Sequence, residues 1–160
     1  MKLCKNELKM FDSKKYFLQA RKEFIETPLK ELGFKKYKSA FVARLTTDNV
    51  FQFIDFQKSA YGGEEFTVNI AIRPLFCPNN EYLTLLPGNR LSTVAANKND
   101  WWNYSTLATG QESFRQLYQL LSEHASPFFD ATKSSDAIVK AYEKNIFGRN
   151  KFGNKIAWGT

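Results

Sequence analysis

The hydrophobic residues in the first part of the chain recur at the spacing of an amphipathic helix. Between Ser13 and Leu32, apolar side chains return about every 3.6 residues, and most lysines and arginines fall between them. The apolar positions are Phe17, Ala20, Phe24, Leu29 and Leu32. Ser13 suits an N-cap, Gly33 suits a helix end, and Thr27-Pro28 indicates a kink or a second helix start. We therefore predict helical structure over residues 13–32.

Three segments rich in β-branched and aromatic residues follow, at residues 41–46, 50–59 and 66–73. Turn residues separate them, so we predict three consecutive antiparallel strands. A two-residue turn at Asp48-Asn49 gives the first hairpin its pairs. They are Arg44 with Phe53, Ala43 with Ile54, and Phe41 with Phe56. A three-residue loop at Tyr61-Gly62-Gly63, with Gly63 left-handed, gives the second hairpin its pairs. They are Phe56 with Val68, Asp55 with Asn69, Ile54 with Ile70, and Phe51 with Arg73.

These two registers divide the predicted sheet into an apolar and a mixed face, because side chains alternate along a strand. The apolar face holds Phe41, Ala43, Leu45, Ile54, Phe56, Val68, Ile70 and Ile72. We expect this face to pack against the helices. The mixed face holds Arg44, Asp55, Gln57, Asn69 and Arg73 beside Phe51 and Phe53. A slip of one residue in either turn would exchange the faces of a strand.

The second half of the chain predicts one further strand and two helices. The strand covers residues 90–95 and the first helix residues 111–124, while Ser134 caps a second helix that turns Ile138, Ala141 and Tyr142 inward. The basic tail from Gly148 shows no period, and we expect it to be loosely held. The predicted fold is α+β: a single antiparallel sheet of about four or more strands, with helices packed on one face. We expect one domain over residues 1–160, with its compact part at about 13–145.

Composition and the distribution of charge reduce the number of possible functions. Apolar residues make up 43% of the 160 residues, which is usual for a globular protein, and aromatic residues reach 16%, so we predict a folded chain. The net charge of +7 comes from the two ends, since residues 39–143 contain 8 basic and 11 acidic side chains. This distribution, with a single lysine cluster at residues 35–38, disfavours a dedicated nucleic-acid binder. We predict no membrane segment and a cytoplasmic location, because the chain has no long apolar stretch and no apolar signal core at its start.

The sequence holds few groups for catalysis or metal binding. Its one histidine, His124, lies near the end of a predicted helix, and its two cysteines, Cys4 and Cys77, form no metal-binding motif. No phosphate-binding glycine loop, nucleophile elbow or metalloprotease motif is present. We therefore predict no metal and no cofactor, and we leave catalytic residues unassigned.

The mixed face carries the candidate binding residues. Arg44, Asp55, Gln57, Asn69 and Arg73 would combine two cations, a carboxylate and two amides with aromatic area, which suits a protein or peptide partner. An exposed face whose ion pairs only aid solubility is the alternative without function. Trp101 and Trp102 are further candidates, or else core anchors with one ring inward and one outward.

Three functions remain open at this point. The favoured hypothesis is a binding module for a protein or peptide partner. The first alternative is an enzyme for a small anionic substrate, with Arg44 and Arg73 as clamps and Asp55 as general base. The second is nucleic-acid binding through the basic N-terminal helix and tail, with Trp101, Trp102 or Tyr104 offered for stacking. The oligomeric state is left open.

The order of several short motifs resembles a bacterial family, domain of unknown function 4304. These motifs are LKELGFKK at 29–36, Phe41 with Arg44, FQKS at 56–59, FTVNI at 66–70, RLS at 90–92, DWW at 100–102 and PFFD at 127–130. The resemblance covers about residues 13–145, and Ser92 stands where the family pattern has glycine. It implies a stand-alone bacterial cytosolic protein of mixed α and β structure, and it supplies no catalytic residues.

Overall fold

The computed structural model describes residues 2–37, 41–75, 86–95 and 99–143. The helices are α1 (Lys2–Arg21), α2 (Thr27–Lys30), α3 (Leu91–Val94), α4 (Leu107–Leu120), α5 (Ser126–Asp130) and α6 (Ser135–Glu143). The strands are β1 (Lys35–Lys36), β2 (Phe41–Leu45), β3 (Val50–Lys58), β4 (Glu65–Pro74), β5 (Leu86–Arg90) and β6 (Trp102–Asn103). The strands form one antiparallel sheet in the order β1-β2-β3-β4-β5, and β6 also pairs with β4. The protein is therefore α+β, as the sequence predicts.

The register predicted for the first hairpin is wrong by one residue. In the structure, Ala43 pairs with Phe53 and Arg44 pairs with Gln52. The connection is one residue longer than the predicted turn, because the Thr46 N–H donates to the Val50 carbonyl. Asn49 alone is left-handed, with a φ of 58°, whereas the predicted turn needs two left-handed residues. The slip moves every side chain of β2 to the face opposite the predicted one.

The register predicted for the second hairpin is confirmed. Phe56 pairs with Val68, Asp55 with Asn69, Ile54 with Ile70, and Phe51 with Arg73. The loop differs in detail, because the left-handed residue is Gly62, with a φ of 81°, rather than Gly63. The Ser59 N–H donates to the Glu65 carbonyl and closes this loop. The register is unchanged because the observed loop, although longer than the predicted one, is centred on the same residue, Gly62.

Two prolines are accommodated inside helices by π-helical turns. The turn Lys22–Glu26 joins α1 to α2 before Pro28, and the turn Leu121–Ala125 joins α4 to α5 before Pro127. A proline has no N–H and clashes with the preceding turn of an α-helix, so the wider π turn relieves the conflict. In the first of these turns, the Thr27 N–H and hydroxyl both donate to the Lys22 carbonyl. Thr27-Pro28 thus marks a local widening between two helical segments.

Some predicted helix ends are correct and others are not. Gly33 ends the first helical region: its N–H donates to the Lys30 carbonyl and the Phe34 N–H donates to the Leu29 carbonyl, as in a Schellman motif. Ser134 accepts a hydrogen bond from the Ala137 N–H, as predicted for a cap. Ser13, predicted as an N-cap, lies buried inside α1 instead. Leu32, predicted to share the apolar stripe of the helix, is exposed after α2 ends.

Two elements of the second half of the chain were misplaced. Thr106, not Gln111, begins the long helix, since Thr106 and Thr109 form a capping box at the start of α4. Residues 91–94, predicted as part of a strand, form α3, and the strand lies before them as β5. The tail from residue 148 and Cys77 lie outside the described residues, and the side chains of Ala141 and Tyr142, predicted to point inward, are not described either.

The sheet has two chemically different faces. We call the side that packs against the helices the core face; it carries Val42, Arg44, Gln52, Ile54, Phe56, Lys58, Phe66, Val68, Ile70 and Ile72. Its apolar members join one buried cluster with side chains of α1, α4 and α5. We call the other side the polar face; it carries Phe41, Ala43, Leu45, Phe51, Phe53, Asp55, Gln57, Thr67, Asn69, Ala71, Arg73 and Arg90. Within the described residues, no side chain of the polar face belongs to the helix-packed cluster.

Candidate functional site

A row of polar side chains crosses three strands of the polar face. Asp55 on β3 pairs in register with Asn69 on β4, and Asn69 pairs with Arg90 on β5. Side chains of directly paired residues are neighbours on the same face. The row therefore places a carboxylate, an amide and a guanidinium side by side across the sheet.

Asn69 is the centre of a hydrogen-bonded cluster in this row. Its Nδ2 lies 3.2 Å from Asp55 Oδ2 and 3.2 Å from Gln57 Oε1, and it donates to both. The sequence predicted that Asp55, Gln57 and Asn69 share a face, and the structure brings them into direct contact. The two acceptors orient the Asn69 amide, so its carbonyl and the Gln57 amide are directed away from the shared contact.

The Asp55 carboxyl accepts its hydrogen bond from the Asn69 amide and not from Arg44, which lies on the other face of the sheet. Partial burial raises the pKa of Asp55 above its ordinary value, and the hydrogen bond from Asn69 lowers it by a smaller amount. Asp55 is therefore a half-buried carboxyl that is held by an amide.

Arg90 extends the row toward the edge of the sheet, and its role was not predicted. Its Nη1 donates to Thr67 Oγ1 at 2.9 Å, and its guanidinium lies 5.4 Å from the ring centroid of Trp101. Trp101 is half-buried, whereas Trp102 is buried in the core beside Phe66. One ring of the Trp pair thus faces inward and the other outward, which is the core-anchor alternative for Trp102. The Arg-Leu-Ser motif at residues 90–92 was the available signal for Arg90.

Aromatic rings border the polar row along β2 and β3. The rings of Phe51 and Phe53 stack with centroids 5.4 Å apart, and Phe41 meets Phe53 edge-on at 6.1 Å. Tyr37 continues this area, with its ring 6.0 Å from that of Phe51. Tyr37 is 58% exposed and Leu45 is 49% exposed. The polar face therefore includes a partly exposed apolar area as well as the polar row.

Arg44 does not lie on the polar face, so the sheet face that the sequence predicted for it is wrong. The one-residue slip puts it on the core face, where its Nε donates to Gln52 Oε1 at 2.7 Å and its Nη1 donates to the Leu32 carbonyl at 2.8 Å. Its guanidinium lies 4.6 Å from the centroid of the Phe34 ring. Burial lowers the pKa of Arg44, and the nearby Asp130 carboxylate raises it by a smaller amount. Arg44 is thus a structural side chain between the sheet and a helix end.

Gln52, which sequence reasoning did not select, completes the Arg44 contact. It is fully buried, and its Nε2 donates to the Phe129 carbonyl at 2.7 Å. The available signal was its position in the strand, because Gln52 lies two residues before Ile54 and therefore shares the core face of β3 with Ile54 and Phe56. A polar residue at such a position needs hydrogen-bonding partners. Arg73, the last predicted member, is half-buried on the polar face opposite Phe51.

Neither a metal-binding cluster nor a membrane-spanning helix occurs among the described residues. Within residues 2–37, 41–75, 86–95 and 99–143, no group of three or more His, Cys, Asp or Glu side chains is placed to hold a metal ion. No helix in this described part is long and apolar enough to cross a bilayer.

The fold and the polar face define an α+β domain that combines a helix-covered core face with a polar and aromatic sheet face. The family model described as "Domain of unknown function (DUF4304)" matches residues 25–131, and the chain belongs to this family. The match includes the polar row, the aromatic area and the Arg44–Gln52 contact. Neither curated proteins nor solved structures gave a match to the chain.

Proposed function

We propose that this protein is a binding module that holds a protein or peptide partner on its polar face. The observation that carries the proposal is the Asp55–Asn69–Gln57 hydrogen-bonded cluster next to partly exposed aromatic area. Oriented amide and carboxyl groups give directional contacts, and aromatic side chains give contact area at low entropic cost. A cytoplasmic location and a bacterial source stay predictions from the sequence.

The composition of the polar face supports a macromolecular partner. Tyr37 and Leu45 expose large apolar surfaces at one side, and Arg90 and Trp101 lie at the other side of the row. Aromatic residues and arginine are enriched at protein interfaces, and lysine and glutamate are depleted there. The polar row supplies hydrogen-bonding groups between the two areas, which is the arrangement expected of a specific interface.

The enzyme alternative loses its proposed clamp. It required Arg44 and Arg73 to hold one anion beside Asp55, but Arg44 lies on the opposite side of the sheet from Asp55. The raised pKa of Asp55 alone suits a general acid or base, yet no second reactive group contacts Asp55 within the described residues.

The nucleic-acid alternative loses stacking by Trp102 and Tyr104, which are buried. It keeps the basic helix and Trp101.

Site-directed photo-crosslinking tests the proposal. A photoreactive phenylalanine analogue replaces Phe51 on the polar face or, in the matched control, Tyr118 on the helix layer. The tagged full chain is irradiated in nuclease-treated lysate. We expect position 51, and not position 118, to crosslink a defined protein, because the proposed partner lies over the stacked Phe51 and Phe53 rings.

A pair of surface variants gives the independent control. Tyr37→Ser/Leu45→Ser removes exposed apolar area from the polar face, and Leu18→Ser/Tyr118→Ser removes similarly exposed apolar area from the helix layer. We expect the first variant to lose the captured protein and the second to retain it, with both folded by circular dichroism. Equal capture by both variants, or crosslinks from position 118 alone, would show that the polar face is not the binding surface.

A further inference from the structure

Three basic side chains meet on the core-face side of the sheet, away from the polar face. Lys14 and Arg21 lie on the α1 stripe that also carries Phe17, and Lys58 lies at the end of β3. The Lys58 ammonium is 4.3 Å from the Phe17 ring centroid and 5.0 Å from the Tyr104 ring centroid. The Arg21 guanidinium lies 5.8 Å from the same Phe17 ring. We call Lys14, Arg21 and Lys58 the Lys58 cluster.

Among the side chains that the structure describes, carboxylates balance part of the positive charge of the Lys58 cluster. Glu26 accepts a hydrogen bond from Arg21 Nε at 2.7 Å and offsets one of the three charges. Burial raises the pKa of the Tyr104 phenol, and the charge of Glu64 raises it further. Burial lowers the pKa of Lys58, and the charges of Lys14 and Arg21 lower it further. Lys14 and Arg21 lie three residues before and four residues after Phe17 on α1, and Lys58 lies on the Phe17 ring, so the three cations surround one aromatic side chain.

The three cations have different roles because their exposure differs. Arg21 is buried beneath Phe17 and Phe56, where a surface ligand cannot reach it directly. Lys14 and Lys58 are exposed at the surface. Lys58 rests on two aromatic rings, which restrict its position and remove part of its water shell. Two accessible ammonium groups beside one aromatic side chain favour a compact, highly charged anion.

We propose that the Lys58 cluster is a binding site for a phosphate group, free or carried by a small molecule, with Lys14 and Lys58 as direct contacts next to the Arg21–Glu26 ion pair. The site is independent of the proposed function, because it lies on the other side of the sheet and shares no residue with the polar face. Phosphate binding reverses the repulsion within the cluster, so it raises the pKa of Lys58.

Titration of the full chain with inorganic phosphate and with O-phosphoserine tests this site. The lysine side-chain methylene signals are followed by NMR at low ionic strength. We expect saturable shifts of the Lys14 and Lys58 signals with either probe. Tighter binding of O-phosphoserine than of phosphate would indicate that the ligand is a small molecule that carries a phosphate group. Equal binding would indicate that the free phosphate ion is a sufficient ligand.

Charge-removing variants separate a site from general attraction. Lys58→Gln and Lys14→Gln should each weaken phosphate binding about 10-fold, as expected for the loss of one charge-assisted contact. The matched control is Lys15→Gln, which removes an exposed charge from the neighbouring position of α1 and should leave the affinity unchanged. The proposal is wrong if the Lys58 signals do not shift with either probe, or if Lys15→Gln weakens binding as much as Lys14→Gln.

Discussion

Gln52 is the residue on which the contact between the sheet and the α4–α5 region depends. Its buried amide links Arg44 to the Phe129 carbonyl. Gln52→Ala removes a hydrogen bond from each of these partners, and the bond to the Phe129 carbonyl is buried. We expect the free energy of unfolding to fall by about 1–3 kcal/mol, as measured by urea denaturation. Gln57→Ala, on the exposed side of the same strand, is the matched control and should change the value by no more than about 0.5 kcal/mol.

Asp55 should make the folded protein less stable as the pH rises, whereas an ion-paired aspartate makes a protein more stable as the pH rises. Its pKa in the folded protein lies above the ordinary value of 3.8, so the folded state binds the proton more tightly than the unfolded state. Its contribution to stability is greatest below that value and falls as the pH rises through the folded pKa. Asp55→Asn keeps an acceptor for Asn69 and should be more stable than the wild type at pH 7.

The stability difference between Asp55→Asn and the wild type should shrink as the pH is lowered toward 3.8. Urea denaturation across this pH range measures it. Asp48→Asn, which changes an exposed aspartate in the first hairpin loop, is the control for a general charge effect. A stability difference that stays constant from acid to neutral pH would contradict the assigned environment of Asp55.

At the scale of elements, the loop between β3 and β4 allows the left-handed position to be tested directly. Gly62 has a φ of 81°, whereas Gly63 has no left-handed φ and would place a new Cβ 3.7 Å from Glu65 Oε2, an ordinary contact. A side chain in the left-handed region costs about 1–2 kcal/mol. Gly62→Ala should therefore lower the thermal unfolding midpoint by more than Gly63→Ala. A larger decrease of the midpoint for Gly63→Ala would show that Gly63, and not Gly62, is the left-handed residue.

The hairpins show why turns are harder to predict than strands. The alternation of side chains is a property of the whole strand, and it indicated β2, β3 and β4 from sequence alone. The register of β2 depends on whether one or two residues of the first turn are left-handed, and Asn49 tolerates either arrangement. In the second hairpin the pairing survived a different loop, because the two strands are long and share many cross-strand contacts.

At the scale of the whole molecule, the two faces of the sheet should respond differently to truncation. Phe56 is buried on the core face, with its ring 5.9 Å from that of Phe114 on α4 and 6.4 Å from that of Phe66 on β4. Phe56→Ala leaves a cavity in this packed cluster, and we expect it to cost about 3–5 kcal/mol of unfolding free energy. Gln57→Ala at the next position is the matched control. If Gln57→Ala were the more damaging change, the two faces would have to be exchanged.

The candidate site was only partly within reach of sequence reasoning. Asp55, Gln57 and Asn69 were predicted together because they share the well-determined β3–β4 register. Arg44 was assigned to the wrong face by a single-residue slip, and Arg90 was placed in a strand that in fact ends there. Each error came from a neighbouring element whose pairing depends on a turn or a bulge, where the backbone has more than one accessible geometry.

The sequence by itself determined the α+β class, the three central strands, the second hairpin register and the helix stop at Gly33. These follow from periodicity and local turn chemistry, which act between residues that are near in the chain. Tertiary structure alone decided that Gln52 is buried against Phe129 and that Lys58 rests on Phe17 and Tyr104. Such contacts join residues that are far apart in the chain, and no local pattern encodes which distant side chain will close them.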